Sequence, residues 1–172
     1  MIANDTPHLD AGRYGMADYS DLLPQPLDPE FNRAVLQITA NLFPNGFDVI
    51  PADQAPDTWD DLHQYVQDTG RMAVTDHGDE EDVFRDAYCY HAFRAWHDWT
   101  HLFMGARFGG IDRLGEAVAA RAQEAQLAAL YGPEKAARWA GYVHKEVLTS
   151  NFGEDAPDES VMVLSDRTLR AA

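Results

Sequence analysis

The stretch that decides the fold is Tyr88–Phe108, YCYHAFRAWHDWTHLFMGARF. It has no proline and no glycine before Gly105, and its length suits roughly five or six turns of helix. On a helical wheel, one side is made only of alanine, leucine and aromatic residues. The other side carries His91, Arg94, His97, Asp98 and His101. A solvated face is normally built of lysine, glutamate and glutamine, so this one predicts a metal or acid–base site.

The spacing His97-Asp98-x-x-His101 carries most of this prediction. Two histidines at i and i+4 lie one above the other on a helix, so their ring nitrogens can share one divalent ion. The arrangement is similar to the H-E-x-x-H helix of zinc proteases, with aspartate in place of glutamate. We expect Asp98 to act as general base or to orient a water. Arg94, one turn earlier, is expected to hold a substrate carboxylate or phosphate, or to pair with an acidic side chain.

Two histidines leave a metal ion under-coordinated, because catalytic zinc and non-haem iron sites usually take a third protein ligand. The later helices offer Glu116, Glu124, His144 and Glu146. Glu116 follows the histidine pair closely in sequence, and helix packing could return Glu146 to the site. The alternative for each is a solvent-facing or structural side chain. The predicted metal ligands are therefore His97, His101, Glu116 and Glu146, with Zn²⁺ or iron as the cofactor.

The composition limits the binding partners, the cysteine chemistry and the cellular location that we expect. The chain has 172 residues and a net charge of −16, from 13 basic and 29 acidic side chains. The negative electrostatic potential of so acidic a chain disfavours direct binding to nucleic acids or anionic membranes, although a very acidic protein can imitate DNA. The single cysteine, Cys89, excludes an internal disulfide and a cysteine zinc cluster. The sequence has no signal-peptide pattern and no membrane-length apolar run, so we expect a cytoplasmic protein.

The remaining pattern predicts an all-α or mainly α fold, with a single compact domain of about five helices. An extended arm rich in proline and aspartate covers 1–29, the helical domain 30–152 and an acidic tail 153–172. Residues 71–75 and 161–164 are at most marginal β elements. The predicted helices run from Pro29 to about Phe43, Trp59 to about Thr69, near Asp79 to Gly109-Gly110, Arg113 to Tyr131 and Pro133 to about Ser150.

The run FRAWHDWTHLFMGARF, the GEAVA segment at 115–119 and a later glutamate resemble a group of phage-encoded helical proteins and polyprotein domains. The resemblance covers about 83–152, and it implies a phage or prophage origin and a metal site, without a settled activity. The two histidines are one residue closer here than in some members. The resemblance assigns His97, Asp98, His101, Glu116 and Glu146 to the site.

These observations favour a metal-dependent hydrolase that acts on a small-molecule, peptide or nucleotide substrate. One alternative is a non-haem iron oxygenase, whose ligands are two histidines and a carboxylate. Another is an HD-type nucleotide phosphohydrolase, which His63 and His97-Asp98 resemble in their spacing. A fourth is a non-enzymatic acidic accessory protein or DNA mimic. The arm could mediate a homo-oligomer.

Overall fold

A computed structural model of the protein describes residues 28–76, 84–105 and 113–144. Within these ranges 72% of the residues are helical, which confirms the predicted mainly α fold with five helices. The first 27 residues, the tail at 153–172 and the extended piece at 161–164 lie outside them, and the predicted domain boundaries stay predictions. In chain order the elements are α1 (Pro29–Leu42), β1 (Asp48–Ile50), α2 (Trp59–Thr69), β2 (Ala73–Thr75), α3 (Ala87–Met104), α4 (Arg113–Tyr131) and α5 (Pro133–His144).

The chain divides into two compact units. Among the described residues, the α1–α3 unit contains three helices and both strands, and the α4–α5 unit is a pair of helices. Searching the described residues for a helix that is both long enough and apolar enough to cross a bilayer finds none.

Short polar side chains begin the helices of the α1–α3 unit. The Asp28 carboxylate accepts hydrogen bonds from the backbone N–H groups of Glu30 and Phe31, at 2.8 and 3.0 Å. Thr58 accepts from the third residue of α2 at 3.2 Å. Asp86 accepts from the N–H of Cys89 at 2.9 Å. Each cap satisfies a backbone donor that has no partner within its own helix, which fixes where that helix starts.

The predicted limits of the central helix are wrong at both described ends. The prediction placed its start near Asp79, but residues 84–86 are bends and α3 begins only after the Asp86 cap. At the other end Gly105 has a φ of 63°, and its N–H donates to the carbonyls of His101 and Leu102. Glycine adopts this left-handed conformation without a steric penalty, so it ends α3 before the predicted Gly109-Gly110.

An aromatic core joins α1 to α3. Phe31, Phe84 and Phe93 are fully buried, and the rings of Phe84 and Phe93 lie 5.1 Å apart. The hydroxyl of Thr39 donates to the carbonyl of Ala92 at 3.1 Å, which links the two helices directly. Cys89 lies in the same core, and burial raises the pKa of its thiol to about 11.

The same unit contains two short parallel strands. Val49 of β1 pairs with Val74 of β2, and a buried cluster of Leu62, Met72 and Ala73 packs beside them. The extended piece at 71–75 is confirmed by β2. Strand β1 was missed, because it lies in the proline-rich stretch between the first two predicted helices and three residues are too few to show a periodicity.

The apolar side of α3 is less buried than its sequence predicts. Tyr88 is 61% exposed and Phe103 is 69% exposed. Each ring instead stacks on another aromatic ring, Tyr88 on Phe47 at 5.8 Å and Phe103 on Trp99 at 5.0 Å. The wheel alone does not show that only the middle of this side meets the rest of the core.

Capping by Asp86 should contribute measurably to stability. We expect Asp86→Ala to lower the free energy of unfolding by about 1 kcal/mol, because the N–H of Cys89 loses its acceptor. Urea unfolding followed by circular dichroism measures the change. Arg85→Ala removes the 2.8 Å ion pair to Asp86 but leaves the cap, so it should cost much less. Equal losses in the two variants would contradict the capping role.

His91 predicts a loss of stability in acid. Burial lowers the pKa of its imidazole below the ordinary value of 6.5, although a hydrogen bond to the backbone of Asp76 opposes the shift. The unfolded chain therefore takes up the proton at a higher pH than the folded one, and stability falls as the pH drops below about 6.5. In chelator-treated protein, His91→Gln should lose less unfolding free energy between pH 8 and pH 5 than the wild type. An identical loss in both proteins would contradict this assignment.

Candidate metal centre

The histidine pair of α3 is buried, with His97 3% and His101 0% exposed. The two Nε2 atoms lie 3.0 Å apart, and the rings meet edge to face with centroids 4.6 Å apart. The i, i+4 spacing explains this contact, since it places both side chains on one side of the helix. The sequence therefore predicted the geometry of the pair correctly.

Glu116 contributes a carboxylate to the same group. His97, His101 and Glu116 each offer one ligand atom, and these atoms all lie within 4.8 Å of one another. All three residues are buried. Among the described residues, this is the one group of three or more histidine, cysteine or carboxylate side chains with such spacing. A buried His/His/Glu group that could bind a metal ion is thus present.

Aromatic side chains hold the histidine pair in place. The ring of Phe93, one turn before His97, lies nearly parallel to the imidazole at 6.4 Å. The indole N–H of Trp59 in α2 donates to the carbonyl of His101 at 3.4 Å. Sequence reasoning did not assign Trp59 any part in this region, because nothing in a single sequence links it to a residue 42 positions later. The Phe93 ring limits the space open to the His97 ring, and the Trp59 hydrogen bond fixes the helix backbone at His101.

The other predicted side chains of α3 lie beside the group rather than in it. Asp98 is half-buried and is not one of the three clustered residues. Arg94 is half-buried, and its Nη1 donates to the hydroxyl of Tyr90 at 3.3 Å. His91 points one ring nitrogen at the backbone of Asp76, and its Nε2 is buried without a hydrogen-bond partner. The predicted roles of Asp98 as a base and of Arg94 as an anion contact stay predictions.

The other candidates for a third ligand lie elsewhere. Glu124 and His144, the lower-ranked candidates, pair with each other, with His144 Nε2 3.3 Å from Glu124 Oε2. Arg121 donates to the same oxygen at 3.0 Å. The Arg121-x-x-Glu124 spacing in an alanine-rich helix was a signal that the sequence analysis did not use. Glu146 lies outside the described residues.

The donor set of the group fits a divalent metal ion. At metal–nitrogen distances of about 2.0–2.1 Å, two imidazole nitrogens bound to one ion lie about 3 Å apart, as the Nε2 atoms of His97 and His101 do. A hydrogen bond between the two rings accounts for the same separation without a metal. Glu116 adds a carboxylate to the two imidazoles, which is the donor type that completes zinc and non-haem iron sites.

Comparison with known proteins adds no relative to this description. No protein-family model, no curated protein and no solved structure matches the chain. The chemistry of the site must therefore be inferred from its own residues.

Proposed function

We propose that His97, His101 and Glu116 bind one divalent metal ion and that the protein is a metal-dependent hydrolase. The observation that carries this proposal is the buried group itself, whose three ligand atoms lie within 4.8 Å of one another. Two neutral imidazoles and a carboxylate form a ligand set of catalytic zinc sites, which leave a further position for water or substrate.

In the proposed hydrolysis the metal ligands, Asp98 and Arg94 have different roles. A divalent ion bound by two imidazoles and a carboxylate supplies Lewis acidity, because it stabilises negative charge on oxygen and makes water a stronger acid. Asp98 follows His97 directly on α3 and is half-buried, so its carboxylate is the proposed acceptor of a proton from the attacking water. Arg94 is the proposed contact for an anionic part of the substrate.

An iron-dependent oxygenase is the second candidate. The observation that favours it is the same donor set, since two histidines and one carboxylate also bind the metal of non-haem iron oxygenases. The two candidates differ in the metal that supports activity, Zn²⁺ for the hydrolase and Fe²⁺ with O₂ for the oxygenase.

The remaining alternatives have less support. An HD-type phosphohydrolase would use His63 and Asp98 as ligands together with His97. His63 instead lies exposed on α2 and stacks on Trp59 at 4.8 Å, and neither it nor Asp98 belongs to the buried group. An acidic accessory protein or DNA mimic would need no metal, so metal content separates it from both enzymes. The phage origin implied by the resemblance is likewise a proposal.

Metal content tests the ligand assignment. Chelator-stripped protein incubated with Zn²⁺ or Fe²⁺ and then desalted should retain about one ion per chain, and bound metal should raise the Tm. The variant His97→Ala/His101→Ala should retain none, because it loses two of the three donors. Elemental analysis by mass spectrometry measures the stoichiometry.

A matched control is His63→Ala, which removes an exposed histidine of α2 and should keep the wild-type metal content. Wild-type protein that retains no metal under either condition would overturn the metal assignment. The same result would leave a hydrogen-bonded histidine pair as the account of the 3.0 Å contact.

Asp98 tests the hydrolytic mechanism separately from metal binding. Asp98→Asn should keep one metal ion per chain but lower kcat by roughly 10²–10⁴-fold, the usual contribution of a general base. Zn²⁺-loaded protein assayed against chromogenic esters, phosphodiesters and peptides measures the rate. Unchanged turnover in the variant would remove Asp98 from the mechanism. Turnover that requires Fe²⁺ and consumes O₂ would favour the oxygenase.

A further inference from the structure

A second buried polar cluster lies inside the α4–α5 unit. It consists of Arg121, Glu124 and His144, which are 5%, 5% and 0% exposed. Arg121 Nη1 and His144 Nε2 approach the same oxygen, Glu124 Oε2, at 3.0 and 3.3 Å. Because a carboxylate only accepts hydrogen bonds, the ring nitrogen that faces it must carry the proton. We call these three residues the Arg–Glu–His triad.

The triad is not itself a metal site. The Arg121 guanidinium already contacts the oxygen that a cation would use, and like charges at that distance repel. Among the described residues, only His97, His101 and Glu116 meet the spacing of a metal-binding group. The triad therefore needs another explanation.

The triad adds a buried polar contact to a helix pair whose buried residues are largely alanine, with Leu127 and Trp139 as large apolar side chains among them. The buried side of α4 is mostly small, with Ala117, Ala119, Ala120 and Ala122, and α5 contributes Ala136, Ala140 and Gly141. Small side chains form low ridges, and low ridges discriminate weakly between neighbouring packing registers. A buried polar contact discriminates strongly, because slipping the register leaves a charged group unpaired.

Helix α4 carries Glu116 as well as Glu124, so the rotation of this helix sets where the Glu116 carboxylate points. The two glutamates are eight residues apart, about 12 Å along the axis. An atom about 6 Å from the axis moves by about 2 Å when the helix rotates by about 20°. That displacement equals a whole metal–oxygen bond of about 2.0–2.2 Å, so a small rotation would misplace the ligand.

We propose that Glu124 and His144 are positioning residues for Glu116, which fix the rotation of α4 against α5. This inference rests on the proposed role of Glu116 as a metal ligand. It assigns the triad to metal affinity and coordination geometry, beyond its part in the stability of the helix pair.

Co²⁺ binding tests the proposal, since the visible spectrum of bound Co²⁺ depends on ligand number and geometry. His144→Leu removes the donor to Glu124, and we expect a Kd for Co²⁺ about tenfold higher together with an altered spectrum. His144→Gln keeps an N–H donor and should restore both. Glu124→Gln removes the charge that both partners bind, and it should weaken Co²⁺ binding even if the leucine variant does not fold.

The matched control is Val143→Ala, which removes buried volume beside His144 without touching the triad. It should lower the Tm yet leave the Kd and the Co²⁺ spectrum unchanged. If the triad acted only through stability, Val143→Ala would weaken Co²⁺ binding as much as a triad variant with the same loss of Tm. If His144→Leu and Glu124→Gln bind Co²⁺ like the wild type, the positioning role is wrong and the metal site stands. If the wild type binds no Co²⁺, the proposed function fails and the positioning role fails with it.

Discussion

The constraint on which the α1–α3 unit depends is the burial of two imidazole rings side by side on one helix. Removing two polar rings from water is costly unless their nitrogens find partners. The two Nε2 atoms face one another at 3.0 Å, while Phe93 packs parallel to the His97 ring and Trp59 binds the backbone carbonyl of His101. The aromatic core around Phe31 and Phe84 then holds α1 against α3 and keeps the helix that carries the rings in place.

The α4–α5 unit buries polar groups in the same way, but on a different scaffold. Its helices are rich in alanine, and its buried polar groups include those of the Arg–Glu–His triad. Apolar residues of similar volume would often be as stable as a buried ion pair, or more so. Both units therefore retain polar groups at positions where packing alone does not require them, and this is typical of sites that must hold a particular geometry.

Local sequence signals predicted most of the fold and part of the site. Proline, glycine and capping residues gave the limits of α1, α2 and α4 closely, and the i, i+4 spacing gave the contact between His97 and His101. The start of α3 was misplaced, because acidic residues before Asp86 resemble a helix start as well as a loop. The pairing of Glu124 with His144 spans 20 residues and depends on tertiary packing, so a single sequence carries no local signal for it.

Cys89 gives the protein a built-in reporter of its own fluctuations. Its thiol is fully buried between α1 and α3, and burial raises its pKa to about 11, so it is unreactive while the core is closed. A thiol reagent can modify it only when the core opens locally. Where closing is faster than modification, the alkylation rate measures the free energy of that opening. The alkylation rate of this one native side chain thus reports how often the helix that carries the histidine pair opens, without any added label.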